Sequence, residues 1–197
     1  EFNDLERLAQ AFSGLPKGLA HVAVTAPLLY AREDFPRVAK ALLASAPKER
    51  APGDALVFVG HGTDHPADMA YPALQYTLWR EDQNAFVTTV EGTPSFDDVV
   101  AALKARGVKK AFLIPLFAVA GDHAHNDMAG KQDDSLASTL KKAGVASVPE
   151  NRRRFSGVAV LGKVHRCKGL AGSILYPRHP RRRCQPSGAL VWFAFCN

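Results

Sequence analysis

Apolar runs of strand length alternate with amphipathic segments along the first 148 residues of the chain. Four of these runs predict β-strands, and they lie at 20–25 (AHVAVT), 55–59 (ALVFV), 86–90 (FVTTV) and 110–119 (KAFLIPLFAV). The second run is continuously apolar, which is typical of a parallel strand with helices on both faces of its sheet. Pro115 lacks the N–H that a ladder needs, so it predicts a bulge or an edge position for the fourth strand.

Four further segments carry apolar side chains at helical spacing, and they lie at 34–46, 66–80, 95–107 and 133–144. The third is the clearest helix, because Ser95 and Asp98 predict a capping box at its start and Gly107 predicts its end. Pro72 predicts a kink or a restart in the second segment, and Gly144 predicts the end of the fourth. Strands that alternate with helices predict an α/β domain with a largely parallel sheet.

Composition is that of a globular domain. The chain has 197 residues, of which 47% are hydrophobic and 22% charged, a normal balance for globular proteins. No window approaches the roughly 18 consecutive apolar residues of a membrane span. The first ten residues, EFNDLERLAQ, lack the basic start and apolar core of a signal peptide. We therefore expect a cytoplasmic protein without membrane contact, with the periplasm as the alternative if a signal peptide precedes residue 1.

The net charge of +6 is unevenly distributed. Residues 149–197 contain ten Lys and Arg and one acid (+9), so the totals of 25 and 19 leave 15 basic and 18 acidic residues (−3) in 1–148. All three cysteines lie in this tail, without a metal-binding spacing: Cys167, Cys184 and Cys196. Because no helix or strand period is present there, we interpret 149–197 as a basic, non-native tail of out-of-frame origin. The alternative is a disordered tail or one that contacts nucleic acid, but no aromatic platform or nucleic-acid-binding motif accompanies it, so nucleic acid is not an expected partner.

Side chains that can bind a metal follow three successive predicted strands. His61 follows the second strand in a Gly-His-Gly sequence, Glu91 follows the third, and His123 and His125 follow the fourth. Ligands of open α/β sheets bind outside the carboxyl ends of the strands, so we expect these side chains at one edge of the sheet. Two imidazoles and a carboxylate suit a divalent transition metal such as zinc, cobalt, nickel or iron.

Each of these residues also has a purely structural interpretation. A single His after a strand is commonly a hydrogen-bonded loop residue, and Glu91 precedes a predicted helix start, where the helix dipole favours acids. His65 is predicted to hydrogen-bond in the turn before its helix. If the segment of His123 and His125 is extended, the two side chains point to opposite sides and at most one is a ligand. The two residues after His125 are predicted turn or capping groups.

Two blocks of the sequence, VFVGHGTDHPADMAYPALQ and TVEGTPSFDDVVAALKARGVKKAFLIPLFAVAGDHAHNDMAG, resemble the anaerobic sirohydrochlorin cobaltochelatases of the CbiK type. The resemblance covers residues 20–148, and the stretch LFAVAGDHAHNDMAG is long and specific. It implies an enzyme of two similar α/β halves with the tetrapyrrole in the cleft between them. It also implies insertion of divalent cobalt into sirohydrochlorin without ATP, on the route to vitamin B12.

The resemblance implies a site as well. The family's metal-binding His of the Gly-His-Gly loop falls on His61, its Glu falls on Glu91, and its second His falls on His123, whereas no family role carries over to His125. These three residues are then both the metal ligands and the catalytic groups, with Glu91 accepting a pyrrole proton. Iron, nickel or zinc could take the place of cobalt as the substrate metal.

The family pattern includes a whole N-terminal half before the matched region, so we expect residues 1–148 to be mainly the C-terminal half of the fold. The expected partners are sirohydrochlorin and a divalent metal, and the sequence is compatible with a homo-oligomer. Because sirohydrochlorin is a polycarboxylate, Arg80 and Lys131 are candidates for a basic rim, with surface charges as the alternative. The alternative functions are iron insertion for sirohaem and tetrapyrrole or metal binding without turnover.

Overall fold

The computed structural model describes residues 2–12, 22–24, 27–117, 124–150 and 190–192. Four strands form its main sheet: β2 (Ala55–Gly60), β3 (Ala85–Thr89), β4 (Lys110–Pro115) and β5 (Ala146–Pro149). Their order is β3-β2-β4-β5, and all neighbours are parallel. A second sheet pairs β1 (Val22–Val24) in parallel with β6 (Leu190–Trp192). The parallel sheet confirms the predicted α/β class.

Helices cover both faces of the four-stranded sheet, as its continuous apolar strands predicted. The helices are α1 (Phe2–Phe12), α2 (Asp34–Leu43), α3 (Ala70–Trp79), α4 (Phe96–Ala105) and α5 (Leu136–Lys142). Buried side chains of α2 and α3 pack on one face of the sheet, and those of α4 and α5 pack on the other. The predicted helices at 34–46, 95–107 and 133–144 are thus confirmed: α2 begins at the predicted residue, and the other ends lie one to three residues further in.

Strand β2 shows why the sequence of a central strand has no polar positions. Leu56 and Phe58 face α2 and α3, while Val57 and Val59 face α4 and α5, and all four are 0% exposed. Successive side chains of a strand point to opposite faces, so apolar side chains on both faces suit a strand that helices cover on both sides. Burial of each such side chain stabilises the fold by about 1.5–3 kcal/mol. Because β2 also lies between two other strands, it forms the centre of the core.

The predicted capping box at the start of α4 is present. The Ser95 hydroxyl accepts a hydrogen bond from the Asp98 N–H at 3.3 Å, and the Asp98 carboxylate accepts from the Ser95 N–H at 2.9 Å and from its hydroxyl at 2.7 Å. These bonds from Ser95 favour the ionised carboxyl and lower the pKa of Asp98. Gly107 and Gly144 follow α4 and α5 with φ of +67° and +78°, as expected for helix ends.

The segment at 66–80 restarts, as Pro72 predicted. A 3₁₀ turn at Pro66–Met69 leads directly into α3, and Pro72 is the third residue of that helix. The first N–H groups of a helix have no intrahelical acceptor, so a proline there removes no helical bond. The chain can therefore turn sharply between β2 and α3 without losing the helix.

The prediction that Pro115 marks a bulge or an edge is wrong. Strand β4 lies between β2 and β5, and its register with β2 is unbroken from Ala111 to Pro115. The N–H of Leu116 donates to the Val59 carbonyl at 2.7 Å, so Pro115 faces the β5 side by alternation. Pairing with β5 ends two residues earlier, at Leu113. Proline is tolerated here because, among the residues that the structure describes, no partner strand lies opposite its nitrogen.

Apart from the π-helical turn at Ala124–Met128, three elements were not predicted. Strand β5 has only four residues, α1 leaves Leu8 and Phe12 more than half exposed, and β6 lies in the tail where no period predicted a strand. Of the strand predicted at 20–25, Val22–Val24 is confirmed. The three cysteines and the rest of the tail after residue 150, apart from β6, lie outside the described residues. Within the described ranges, no helix has the length and apolar character needed to cross a membrane.

The connections after β2 and β4 leave the sheet in opposite directions. From β2 the chain passes along the face that holds α3 and reaches β3 on one side. From β4 it passes along the face that holds α5 and reaches β5 on the other side. Adjacent strands with diverging connections open a crevice at their carboxyl ends, and ligand sites of α/β sheets form there. Of the predicted site residues, His61 directly follows β2.

Candidate metal site

Backbone hydrogen bonds place His61 beside Glu91. The ladder between β2 and β3 ends at the pair Gly60 and Thr89, but the chains continue side by side. The Val90 N–H donates to the Gly60 carbonyl at 3.1 Å, and the Glu91 N–H donates to the His61 carbonyl at 2.8 Å. These two hydrogen bonds continue the pairing beyond the strand ends and bring His61 beside Glu91, as predicted.

The side chains of His61 and Glu91 meet at this edge. His61 Nδ1 lies 3.8 Å from Glu91 Oε2, with 27% of the imidazole side chain and 61% of the carboxylate side chain exposed. The same Nδ1 lies 3.0 Å from the Gly62 carbonyl oxygen. A carbonyl can only accept, so this contact puts the proton on Nδ1 and the lone pair on Nε2. A backbone carbonyl that fixes the tautomer in this way is typical of metal-binding histidines.

Gly62 allows the two loops to approach this closely. Its φ is +83°, and a Cβ built on it would lie 2.6 Å from the Gly92 nitrogen and 2.9 Å from the Glu91 carbonyl carbon. Its N–H lies 3.4 Å from the Tyr71 hydroxyl oxygen, which it can use as an acceptor. The Gly-His-Gly sequence is therefore needed for backbone packing at this position, in addition to any role in admitting a ligand.

A buried carboxylate joins the two loops. Asp68, in the 3₁₀ turn, is 6% exposed; its Oδ1 accepts from the Thr63 N–H at 3.1 Å and its Oδ2 accepts from the Thr93 N–H at 2.7 Å. Thr63 lies two residues after His61, and Thr93 lies two residues after Glu91. The sequence pattern gave no signal for Asp68, because an acid in a first helical turn is the usual partner of the helix dipole.

His65 has the structural role that was predicted for it. Its Nδ1 accepts a hydrogen bond from the Ala67 N–H at 3.1 Å and so caps the 3₁₀ turn, and its own N–H lies 3.2 Å from the Thr63 hydroxyl oxygen. The lone pair of this nitrogen is taken up by the hydrogen bond from the backbone, so it is not directed at a metal. His65 is therefore a useful comparison for His61, because both histidines lie in the same loop.

The remaining predicted residues follow β4. His123 lies outside the described residues, and His125 lies in a π-helical turn at Ala124–Met128, together with Asn126 and Asp127. The prediction that His123 and His125 point to opposite sides assumed an extended segment. His125 lies in a helical turn instead, so that prediction does not apply to it. Among the described residues, no group of three His, Cys, Asp or Glu side chains could hold a metal ion.

The two candidates for a basic rim are both exposed. Helix α3 runs from the carboxyl end of β2 to the amino end of β3, so Arg80, which follows it, lies at the edge of the sheet away from His61. The prediction that Arg80 lies at the rim of this site is therefore wrong, and Arg80 is a surface charge. Lys131 follows the π-helical turn and keeps both interpretations.

Comparisons with known proteins show what the chain is similar to. The chain matches the family described as cobalt chelatase (CbiK) over residues 1–166. It is 41% identical over 132 residues to the sirohydrochlorin cobaltochelatase CbiKC of Nitratidesulfovibrio vulgaris, a match that covers 67% of this chain and 47% of the relative. It is 32% identical over 147 residues to a sirohydrochlorin cobaltochelatase of Salmonella typhimurium, covering 75% of this chain and 55% of the relative.

The chain spans about half the length of the curated relatives it matches. The family match extends over most of the 197 residues and includes His61, Glu91 and the segment after β4. With the α/β sheet and the pair of side chains at its carboxyl edge, this match identifies the chain. It belongs to the CbiK cobalt chelatase family.

Proposed function

We propose that this protein inserts divalent cobalt into sirohydrochlorin without ATP, as a step of anaerobic cobalamin biosynthesis. One observation of the structure carries the proposal: His61 and Glu91 lie 3.8 Å apart at the carboxyl edge of the parallel sheet. The names of both relatives support the substrate and the metal. An imidazole and a carboxylate at one position suit a divalent transition metal better than magnesium or calcium, which prefer oxygen ligands.

His61 binds the metal through Nε2 in this proposal. The bond from Nδ1 to the Gly62 carbonyl holds the ring in one tautomer and one orientation, so the lone pair of Nε2 is directed before the ion arrives. A neutral imidazole also suits a metal that must be given up again, because it adds no charge that would hold the cation. His61 therefore delivers the ion and releases it to the ring.

Glu91 completes the metal site and accepts a proton from the macrocycle. Metal insertion releases two pyrrole N–H protons; Glu91 accepts one of them at the face where the metal enters, and the other passes to solvent water. The Glu91 side chain is 61% exposed, and its carboxylate can reach a bound ring without leaving its neighbour His61.

His123 is the third ligand in the proposal. The resemblance of its block to the family pattern supports this role, and so does its place in the chain after β4. Strand β4 neighbours β2 in the sheet, so the segments that follow the two strands start at the same edge. The donor set of two histidines and one glutamate also fits iron, nickel or zinc, and we propose that supply of cobalt and the ring geometry decide the metal.

A cobalt-insertion assay tests the proposal. The purified 197-residue chain is mixed with sirohydrochlorin and divalent cobalt, and the absorbance of the cobalt product is followed against the rate without protein. His61→Ala and Glu91→Gln are compared with His65→Ala, which removes a histidine of the same loop that caps a turn. We expect product from the wild type and from His65→Ala, and loss of product in the other two variants.

Two results would contradict the proposal. Wild-type chain that is folded and binds cobalt, but forms product no faster than the solution without protein, would make it a metal-binding protein without turnover. Full turnover by His61→Ala would leave insertion in place and remove His61 from the site.

A further inference from the structure

Asp68 is the one buried side chain among the described residues that bonds to both loops of the candidate metal site. We propose that it is a positioning residue that sets the separation of His61 and Glu91 for the metal. The inference rests on the proposed function of that site. Its carboxylate bonds to the backbone N–H groups of Thr63 and Thr93, so it acts on the two ligands through the backbone.

The hydrogen bonds of Asp68 fix each loop close to its ligand. One carboxylate oxygen holds the N–H of Thr63 at 3.1 Å, and the other holds the N–H of Thr93 at 2.7 Å. Each amide is two residues after a ligand, His61 or Glu91. Bonds from N–H groups to an ionised carboxylate are stronger than bonds between neutral groups, and burial keeps water from competing for them.

Packing around the carboxylate shows that this arrangement is built into the second loop. A Cβ added to Gly92 would lie 2.2 Å from Asp68 Oδ1 and 2.7 Å from its Cγ. The residue next to Glu91 must therefore be glycine for the carboxylate to reach Thr93. Because Asp68 bonds to both loops at once, a change in its position moves His61 and Glu91 relative to each other.

A buried carboxylate with two backbone bonds could also serve stability alone, and Gln75 offers a matched control. Gln75 is 5% exposed and comes from α3, the helix that follows the 3₁₀ turn of Asp68. It also bonds to two backbone groups, the Ala85 carbonyl at 2.9 Å and the Val87 N–H at 2.5 Å. Both lie within β3, away from the loops, so its removal affects stability without touching the site.

The test measures cobalt affinity, unfolding free energy and amide hydrogen exchange in Asp68→Ala, Asp68→Asn and Gln75→Ala. We expect Asp68→Ala to weaken cobalt binding by about 10–100-fold, the usual effect of losing a group that orients a metal ligand, and to speed exchange at Thr63 and Thr93. Asp68→Asn keeps one accepting oxygen, so its cobalt affinity should lie between those of alanine and wild type. Gln75→Ala should lower the unfolding free energy and keep wild-type cobalt affinity.

Asp68→Ala with wild-type cobalt affinity would overturn the proposal, and so would an equal loss of affinity in Gln75→Ala. The proposed function fails separately, because it depends on the wild-type insertion rate, whereas the role of Asp68 depends on the ratio of variant to wild-type cobalt affinity. Wild-type protein that binds cobalt without inserting it would contradict only the function. Wild-type protein without cobalt affinity would overturn both.

Discussion

Replacing Gly62 by alanine tests how closely the loops of His61 and Glu91 must approach. Gly62 has a φ of +83°, and an added Cβ would lie 2.6 Å from the Gly92 nitrogen and 2.9 Å from the Glu91 carbonyl carbon. The nearest atoms belong to the backbone of the second loop, so they cannot move aside by a side-chain rotation. The substitution must therefore push the two loops apart or distort the Gly-His-Gly turn.

The expected loss of stability in Gly62→Ala has two parts, which a control substitution can separate. A residue with a Cβ in the left-handed region costs about 1–2 kcal/mol, and forcing extra volume into a packed position costs about 1–3 kcal/mol. Gly62→Ala should thus lower the free energy of unfolding by about 2–5 kcal/mol. Gly144 has a φ of +78° with no atom within 4 Å of its added Cβ, so Gly144→Ala should cost only the first part, about 1–2 kcal/mol.

Urea unfolding of the two variants and the wild type measures these costs, and a cobalt titration of each folded variant measures the site. We expect Gly62→Ala to lose more stability than Gly144→Ala and to lose cobalt affinity as well, while Gly144→Ala binds cobalt like the wild type. Equal destabilisation of the two variants, with cobalt affinity intact in both, would refute the reasoning. The loops would then separate at no cost, and close backbone packing would not be what keeps His61 beside Glu91.

Three further predictions concern single side chains. Glu91→Gln should reduce the rate of cobalt insertion by about 10²–10⁴-fold, the usual contribution of a general base. Its free energy of unfolding should change by no more than about 0.5 kcal/mol, because the side chain is exposed. An unchanged insertion rate would exclude Glu91 as the base. His65→Ala should lose about 0.5–2 kcal/mol of stability with the cap and keep cobalt affinity, and a loss of affinity in a titration would place His65 in the site. The pKa of Asp98 is lowered in the fold, so its contribution to stability is complete above its unfolded pKa of about 3.9 and is lost as pH falls through the folded value. The difference in unfolding free energy between wild type and Asp98→Asn, measured over this pH range, should therefore close in acid. A difference that persists in acid would contradict this prediction.

Much of the fold could be predicted because local signals and tertiary packing agree in it. The capping box of Ser95 and Asp98 and the glycine at position 107 mark the ends of α4 without any knowledge of its neighbours. The apolar run of β2 predicted a strand covered on both faces, since no position along it faces water. Such elements depend on their own sequence, so pattern and spacing are enough to find them.

The errors occurred where tertiary context decides. Pro115 looks like an edge residue in isolation, but it is harmless at the end of a central strand because β5 pairs only as far as Leu113. Strand β5 is too short for a period to be visible, and its partner β4 defines it. Asp68 gave no signal, because its importance depends on a contact with Thr93, 25 residues later in the chain.

Two of the three predicted site residues, His61 and Glu91, lie among the described residues, so their predicted placement can be tested. His61 and Glu91 were expected at one edge because parallel strands end together, and they lie 3.8 Å apart. The role of His123 came from family resemblance alone and stays a prediction. His125 lies in a helical turn that the short glycine-flanked stretch did not reveal.

The most direct test of the central claim is to locate bound cobalt. Crystals of the protein grown with divalent cobalt would be measured on both sides of the cobalt absorption edge, and the anomalous difference density would give the position of the ion. We predict one strong peak about 2 Å from His61 Nε2, the usual length of a bond between a metal and an imidazole, with the Glu91 carboxylate beside it. A peak elsewhere on the chain, with His61 Nε2 beyond bonding distance, would contradict the claim that this edge of the sheet is the metal site.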